Sequence, residues 1–488
     1  MSTDVDVLIV GAGLSGIGAA HHLRTAFPGL TYTILEARDT IGGTWDLFRY
    51  PGVRSDSDMH TLGYRFKPWT QAKAIADGPS ILSYVRETAE AAGIDRHIRF
   101  RHRVVRASWS TEDARWTVEA RHDGDPVTLT ARFLYVCSGY YHYDGGHTPD
   151  FPGVARFRGT VVHPQRWPED LDYTGKKVVV IGSGATAVTL VPAMAEKAAH
   201  VTMLQRSPTY VLSLPAEDRI ANTLRRLIGP KRAYFVTRWK NVVMSTFLYQ
   251  LSRRRPHVVR NLIRKATIRQ LPPGYDVDTH FRPRYDPWDQ RLCLVPDGDL
   301  FRAIRHGRAS VVTDRIAEFT ETGPRLESGD TLDADVVVTA TGLRLLAFGG
   351  MELIVDGRAV ELPKTMAYKG MMLSDVPNFV FTIGYTNASW TLKADLVGEY
   401  VVRLLRHMDE HGHDVAVPAN DDPSVTERPL LDFDAGYVLR SIDEFPRAGS
   451  RAPWQLGMSY AHDVVNLRHG KVDDGVMRFT RRAVRANK

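Results

Sequence analysis

The sequence predicts an α/β fold with two dinucleotide-binding units, and three observations carry that expectation. One local pattern, a short strand, a glycine-rich turn and a helix, occurs twice. The first copy is Val5 to Val10 followed by GAGLSGIGAAHHL, and the second is Lys177 to Ile181 followed by GSGATAVTLVPAM. Both strands are short, largely apolar and β-branched, as strands of a parallel sheet covered on both faces are. Each copy is followed by a second strand, and these end in charges of opposite sign, Glu36 and Arg206.

Composition agrees with a large folded chain. The 488 residues suit about two to four domains, and 43% hydrophobic with 24% charged residues is ordinary globular usage. Two cysteines, Cys137 and Cys293, exclude a disulfide scaffold, a CxxC dithiol and a cysteine zinc site. No signal-like leader and no run of about 18 apolar residues stands in the sequence. A soluble, cytoplasmic protein is expected. The formal charge of +7 raises nucleic acid, a membrane surface or an anionic ligand as partners.

In the first copy, Gly11, Gly13 and Gly16 form GxGxxG between strand and helix. The first glycine permits the tight turn, the second lets backbone approach a pyrophosphate, and the third lets helix pack on sheet. The helix N-terminus then offers unpaired N–H groups to phosphate. Glu36, closing the strand Tyr32 to Leu35, accepts from a ribose 2′-hydroxyl and repels a 2′-phosphate. This site fits FAD or NAD rather than NADP. In the second copy, Gly182, Gly184 and Ala187 give GxGxxA, and the strand after it leads into Gln205-Arg206-Ser207. An arginine there suits a 2′-phosphate, so the site is expected to take NADPH. Two Rossmann-like units, one of FAD type and one of NADPH type, point to hydride transfer onto a flavin.

Two longer motifs narrow the chemistry further. Phe157-x-Gly159-x-x-x-His163-x-x-x-Trp167-Pro168 lies just before the second glycine turn. Gly42-Gly43-Thr44-Trp45 followed by Tyr50-Pro51-Gly52 and Asp56 lies just after Glu36. Together they resemble the fingerprints of type I Baeyer–Villiger monooxygenases, the class B flavoprotein monooxygenases, and the resemblance runs along essentially the whole chain.

The resemblance implies an FAD domain built from both chain ends, 1–145 and 334–488. A linker at 146–175 carries the fingerprint. An NADPH domain at 176–333 is inserted, with its own helical subdomain at 215–272. Ala340-Thr341-Gly342 matches the family's ATG motif at the return crossing, whereas Cys137-Ser138-Gly139 departs from it at the first. Gly43, Thr44, Trp45 and Asp56 join the cofactor-binding set, and His163 is implied to couple cofactor binding to domain movement. A packed, hydrogen-bonded linker is the plainer reading of His163 and Trp167.

The activity implied is NADPH-driven reduction of FAD, capture of O2 as a C4a-peroxyflavin and conversion of ketones to esters, with S-oxidation of thioethers or thioamides as a second activity. The cation beside the flavin matches Arg291, and the carboxylate that holds it matches Asp56. A structural salt bridge is the alternative for this pair. Gln290 stands where some relatives carry a lysine for the 2′-phosphate, which leaves more of that preference to Arg206. A heteroatom hydroxylase of the wider flavin monooxygenase group and a membrane-docking redox sensor are the competing functions.

Three features stand apart. His407, His411 and His413 have metal-like spacing, but Gly412 is placed to end a helix there, and basic groups favour helix C-termini, so no metal is expected. Tyr385, Asn387, Ser389 and Trp390 could line a pocket or pack a loop. Residues 219–270 hold 14 Lys/Arg and no Asp/Glu, a charge of +14 against −7 for the rest. Amphipathic helices are expected there, with Leu224, Leu227 and Ile228 in one stretch and Trp239, Val243, Phe247 and Leu251 in another, the apolar face on the core and the basic face in water. Peripheral contact with an anionic membrane through 219–270 is the alternative. No nucleic-acid motif accompanies the charge. Arg478–Lys488 reads as a basic tail, partly loose.

Overall fold

The computed structural model describes residues 3–290, 292–431 and 433–482. Strand β1 (Thr3–Val10), helix α1 (Leu14–Ala26) and strand β2 (Tyr32–Leu35) form the first repeat of the pattern. β1 pairs in parallel with β2 on one side and with β3 (Asp125–Val136) on the other. These strands belong to a nine-stranded sheet that also takes Glu352–Val355, Arg358–Ala359 and Phe379–Phe381. One sheet is thus built from segments at both ends of the chain. Val7, Leu8 and Ile9 are fully buried, because α1 covers one face of β1 while other strands and loops cover the second.

The second sheet has five strands, all parallel. β4 (Lys177–Ile181) lies between β5 (His200–Gln205) and β6 (Val336–Thr339), with Ala309–Thr313 and Thr160–Val162 at the edges. Helix α2 (Ala185–Met194) follows β4 as α1 follows β1. The α/β class with two Rossmann-like units therefore holds. The short strand Thr160–Val162, inside the fingerprint segment, is an edge strand of this second sheet.

Three helices follow β5: α3 (Arg219–Ile228), α4 (Pro230–Arg254) and α5 (Pro256–Gln270). Gly229, at φ +79°, breaks α3 from α4, and a proline opens each of α4 and α5, where its missing N–H costs nothing. The helices form where expected, but their apolar side is not where expected. Leu227, Trp239, Val243 and Phe247 are exposed. The inward side of α4 carries Ala233, Tyr234, Thr237, Arg238 and Val242 instead. α4 has two apolar sides, and periodicity alone does not say which one packs.

Arg238 anchors that inward side. The residue is 5% exposed. It donates to the carbonyls of His60, Thr61 and Gly63 at 2.9, 3.2 and 2.8 Å and to Asp395 at 3.4 Å. A helix inserted between strands of the second sheet is thereby fastened to the unit built on the first.

The last long helix, α6 (Trp390–His411), packs on α1 and ends at Gly412 in the left-handed conformation, as the sequence indicates. The three histidines there stack with one another and with Phe479. The tail expected at Arg478–Lys488 is ordered at its start, because Met477–Thr480 is a strand paired with Val415–Pro418; residues 483–488 lie outside the described residues. No helix among the described residues is long and apolar enough to cross a membrane.

Replacing Arg238 by alanine removes a charged donor from the carbonyls of His60, Thr61 and Gly63 and weakens the pairing of buried Asp395. Breaking a buried charged network of this kind costs about 3–5 kcal/mol. Arg238→Ala is expected to lower the melting temperature and to open 219–270 to limited proteolysis.

Candidate active site

Each glycine turn is set by contact with the strand beside it. Gly11 sits at φ +102°, and a Cβ there would stand 2.7 Å from the carbonyl oxygen of Cys137 at the end of β3. Gly182 sits at φ +134°, and its Cβ would stand 2.3 Å from the carbonyl of Ala340 at the end of β6. The two crossings Cys137-Ser138-Gly139 and Ala340-Thr341-Gly342 thus play one part in the two units. Gly139 and Gly342 are both at positive φ, +69° and +114°. Cys137 replaces alanine as a buried side chain whose thiol pKa is driven up by burial, which makes it inert.

Gly16 is required by packing, since its Cβ would lie 1.9 Å from the carbonyl of Gly11. Gly13 and Gly184 differ. A Cβ on Gly13 would touch only Gly43 at 3.6 Å, and a Cβ on Gly184 would have no protein atom within 4 Å. Both residues N-cap their helices without a side-chain cap, and neither helix has an acidic residue in its first turn. Free N–H groups with open space in front of them fit a phosphate-bearing ligand.

Glu36, 6% exposed, accepts from the N–H groups of Ala12 at 2.7 Å and Arg38 at 2.9 Å. Burial raises its pKa, and the two amides only partly offset this. Both carboxylate oxygens keep a lone pair for a ribose hydroxyl. Arg206 and Ser207 are exposed at the end of β5, and Arg206 has no ion-pair partner among the described residues. The carbonyl of Ser207 accepts from Ser183 in the second glycine turn at 3.1 Å.

A single cavity of about 1370 Å³ joins these parts. It exceeds the ~300–1,000 Å³ of a pocket for one ligand. Gly11, Gly13, Glu36, Gly43, Thr44, Trp45, Asp56, Gly182, Gly184, Arg206 and Ser207 all line it. Gly16 and Ala187 do not; they lie behind the turns as packing residues. Tyr385, Asn387, Ser389 and Trp390 line the cavity and also hydrogen-bond to other parts of the protein. Tyr385 donates to Asp463 at 2.7 Å and Trp390 to Ser15 at 2.8 Å. Arg291 lies outside the described residues; its neighbours Gln290 and Leu292 line the cavity.

Phe157, Gly159, His163, Trp167 and Pro168 do not line the cavity. Phe157 packs on Phe319, Trp167 lies against Tyr173, and a Cβ on Gly159 would be 2.5 Å from the carbonyl of Asp335. His163 is bonded to the second crossing. Its Nε2–H donates to the carbonyl of Gly342 at 3.3 Å, and its Nδ1 accepts from the N–H of Gln165 at 3.1 Å. Gln165 in turn donates to the carbonyls of His142 and Tyr143, and Thr341 to that of His147.

Charged residues outside the fixed motif positions also shape the site. Buried Asp46 pairs with Arg38, Arg49 and Arg86, bracing the short helix Thr44–Leu47 that carries Thr44 and Trp45. Arg54 pairs with Asp299 at 2.5 Å across the two units. Both Asp46 and Arg54 fall inside the second fingerprint, at positions its pattern leaves open. That placement is the only sign of them in the sequence.

Comparison with known proteins places this architecture. The flavin-binding monooxygenase-like family model matches residues 73–383, and an NAD(P)-binding Rossmann-like domain model matches 9–76. The chain belongs to the flavin-binding monooxygenase-like family. It is 57% identical over 483 residues to the FAD-containing monooxygenase EthA of Mycobacterium tuberculosis, covering 99% of each chain. It is 47% identical over 485 residues to the probable FAD-binding monooxygenase AlmA of Acinetobacter baylyi, covering 99% of this chain and 97% of that one. The fold is shared with an oxidized steroid monooxygenase bound to NADP, at TM-score 0.78 and 23% identity, over 98% of this chain and all of the other. A cyclohexanone monooxygenase shares it at TM-score 0.74 and 20% identity, over 86% of this chain and 91% of that one. The family expectation drawn from the two fingerprints is met.

The two kinds of glycine should respond differently to substitution. Gly16→Ala forces the turn apart and is expected to yield colourless, thermally weakened protein. Gly184→Ala meets no protein atom and is expected to keep its melting temperature and its flavin absorbance. His163 is held neutral, because burial lowers its pKa below 6.5 and the Gly342 bond only partly opposes this. Its contribution to stability is complete above pH 6.5 and is lost as pH falls from there through the lower folded-state value. Amide exchange in 140–147 and 340–343 is expected to rise between about pH 7.5 and pH 5.5, and His163→Phe to flatten that dependence.

Proposed function

We propose that the chain is a type I Baeyer–Villiger monooxygenase that uses FAD, NADPH and O2 to convert ketones to esters, with S-oxidation of thioethers or thioamides as a second activity. The observation that carries this reading is the single cavity onto which both glycine turns, Glu36, Arg206 and Asp56 open. FAD would take the first turn, with its pyrophosphate at the N-terminus of α1 and a ribose hydroxyl on Glu36. NADPH would take the second, with its 2′-phosphate on Arg206 and Ser207. EthA's description as FAD-containing and the NADP in the steroid monooxygenase structure support these two choices.

Bound FAD, once reduced by NADPH, supplies the oxygen-transfer chemistry, so the chain needs no nucleophile of its own. Its cysteines are both buried. The residues contribute position and charge. Arg291, by its place in the family pattern, would put a guanidinium beside the reacting oxygen, a cation that survives desolvation. Asp56, on the cavity wall, would hold it there. A fixed positive charge stabilises the oxyanion that develops as the ketone carbonyl is attacked. The bonds from Gly342 through His163 and Gln165 to His142 and Tyr143 would carry a change at the NADPH unit to the FAD unit.

The test is product identification. Purified yellow protein with NADPH and phenylacetone or 2-octanone is expected to give ester by gas chromatography and mass spectrometry. Sulfoxide from thioanisole with no ester from a broad ketone panel would identify a heteroatom hydroxylase instead. Arg291→Ala is expected to keep flavin reduction by NADPH in stopped flow while abolishing ester. Arg206→Ala removes a charge-assisted contact worth about 1.5–3 kcal/mol, so KM for NADPH is expected to rise roughly 10- to 100-fold with little change for NADH.

A further inference from the structure

We propose that the outward side of α4, with the end of α3, docks on an anionic lipid bilayer, and that apolar substrate passes from the bilayer into the cavity. Phe235, Trp239, Val243 and Phe247 recur every fourth residue along α4, which sets them on one side of the helix. They are 52%, 38%, 63% and 61% exposed, and Leu227 at the end of α3 is 73% exposed. Contiguous water-facing apolar side chains mark an interaction surface. The opposite side of α4 is bolted down through Tyr234 and Arg238, so the stripe is presented rigidly.

Charge selects the occupant. Arg226, Lys231 and Arg232 are exposed around the α3–α4 break, and Arg254 and Arg255 at the far end of α4. None of these five makes an ion pair among the described residues. Residues 219–270 carry no acidic side chain at all. A second copy of the chain placed on this face would bring basic helix against basic helix in a two-fold contact. A basic rim around an apolar stripe on a helix too polar to span a membrane fits a helix lying in the headgroup layer.

The stripe also borders the cavity. Ile220 of α3 and Met244 of α4 are 58% and 62% exposed, and both line the cavity. A ketone dissolved in lipid would reach that opening without crossing bulk water. This access step rests on the monooxygenase reading; the docking step does not.

The holoenzyme is to be sedimented with phosphatidylglycerol vesicles and with phosphatidylcholine vesicles, without turnover. Binding to the first is expected to exceed binding to the second by about tenfold or more, and salt is expected to weaken it. The double variants Val243→Glu with Phe247→Glu and Lys231→Glu with Arg232→Glu should each lose it, while NADPH oxidation with a soluble ketone in vesicle-free buffer stays unchanged. Faster turnover of vesicle-dissolved 2-tridecanone by wild type than by either variant would support access from the bilayer. Absence of binding to anionic vesicles would overturn the proposal, as would variants that bind like wild type. So would a dimer that Val243→Glu with Phe247→Glu dissolves in sedimentation velocity. Vesicle binding with no ester from any ketone would sink the catalytic reading and leave docking standing.

Discussion

The whole site depends on how closely two backbones can pass. At Gly11 and at Gly182 the chain leaves a central strand and turns against the carbonyl that ends the neighbouring strand, at separations that leave no room for a Cβ. The positive φ and the missing side chain are both required there. Because the strand ends meet the turns so tightly, each following helix starts with its N–H groups pointing past the strand ends, at the carboxyl edge of a parallel sheet where open α/β folds bind ligands. The two edges then share one cavity. Were either turn looser, that helix N-terminus would move away from the shared space.

The same strand ends do a second job. Cys137-Ser138-Gly139 and Ala340-Thr341-Gly342 are where the chain approaches and leaves the second unit, and the fingerprint histidine acts on the latter. His163 bonds the carbonyl of Gly342, and Gln165 beside it bonds the carbonyls of His142 and Tyr143. Residues far apart in sequence are drawn into one knot of hydrogen bonds to backbone, in which Tyr143 and Gly342 line the cavity while His163 and Gln165 stand behind them. A fingerprint residue with no surface of its own on the cavity is thereby bonded to backbone that does line it.

Legibility in the sequence depends on how local each constraint is. The turns were legible because glycine spacing, strand and helix all fall within about thirty residues. Glu36 and Arg206 were legible because each closes the next strand. Arg54 and Arg238 were not, because their partners lie on distant elements; Arg238 reaches back 178 residues to His60, and Arg54 pairs across 245 residues with Asp299. No periodicity encodes such a meeting. The helices at 219–270 were legible as helices, yet their orientation was not, since α4 is apolar on two sides and Tyr234 and Arg238, both with polar groups, won the buried one.

That outcome has a physical logic. An arginine buries well only where several acceptors converge, and the end of the short helix Met59–Leu62 supplies three carbonyls that its own helix leaves unpaired. Asp395 of α6 completes the set and balances the charge. The more apolar stripe of Phe235, Trp239, Val243 and Phe247 offers no such partners, so it is the side left outward. α4 is therefore tied to the first unit, whereas α5 after it is tied to the second, where Arg305 donates to the carbonyl of Gln270 and Arg264 pairs with Asp278. Any shift of the second sheet relative to the first must be taken up at the α4–α5 junction and in 206–218, the segment that leads from β5 into α3. That segment begins with Arg206 and Ser207 on the cavity wall, so a strain taken up there would be felt at the cavity.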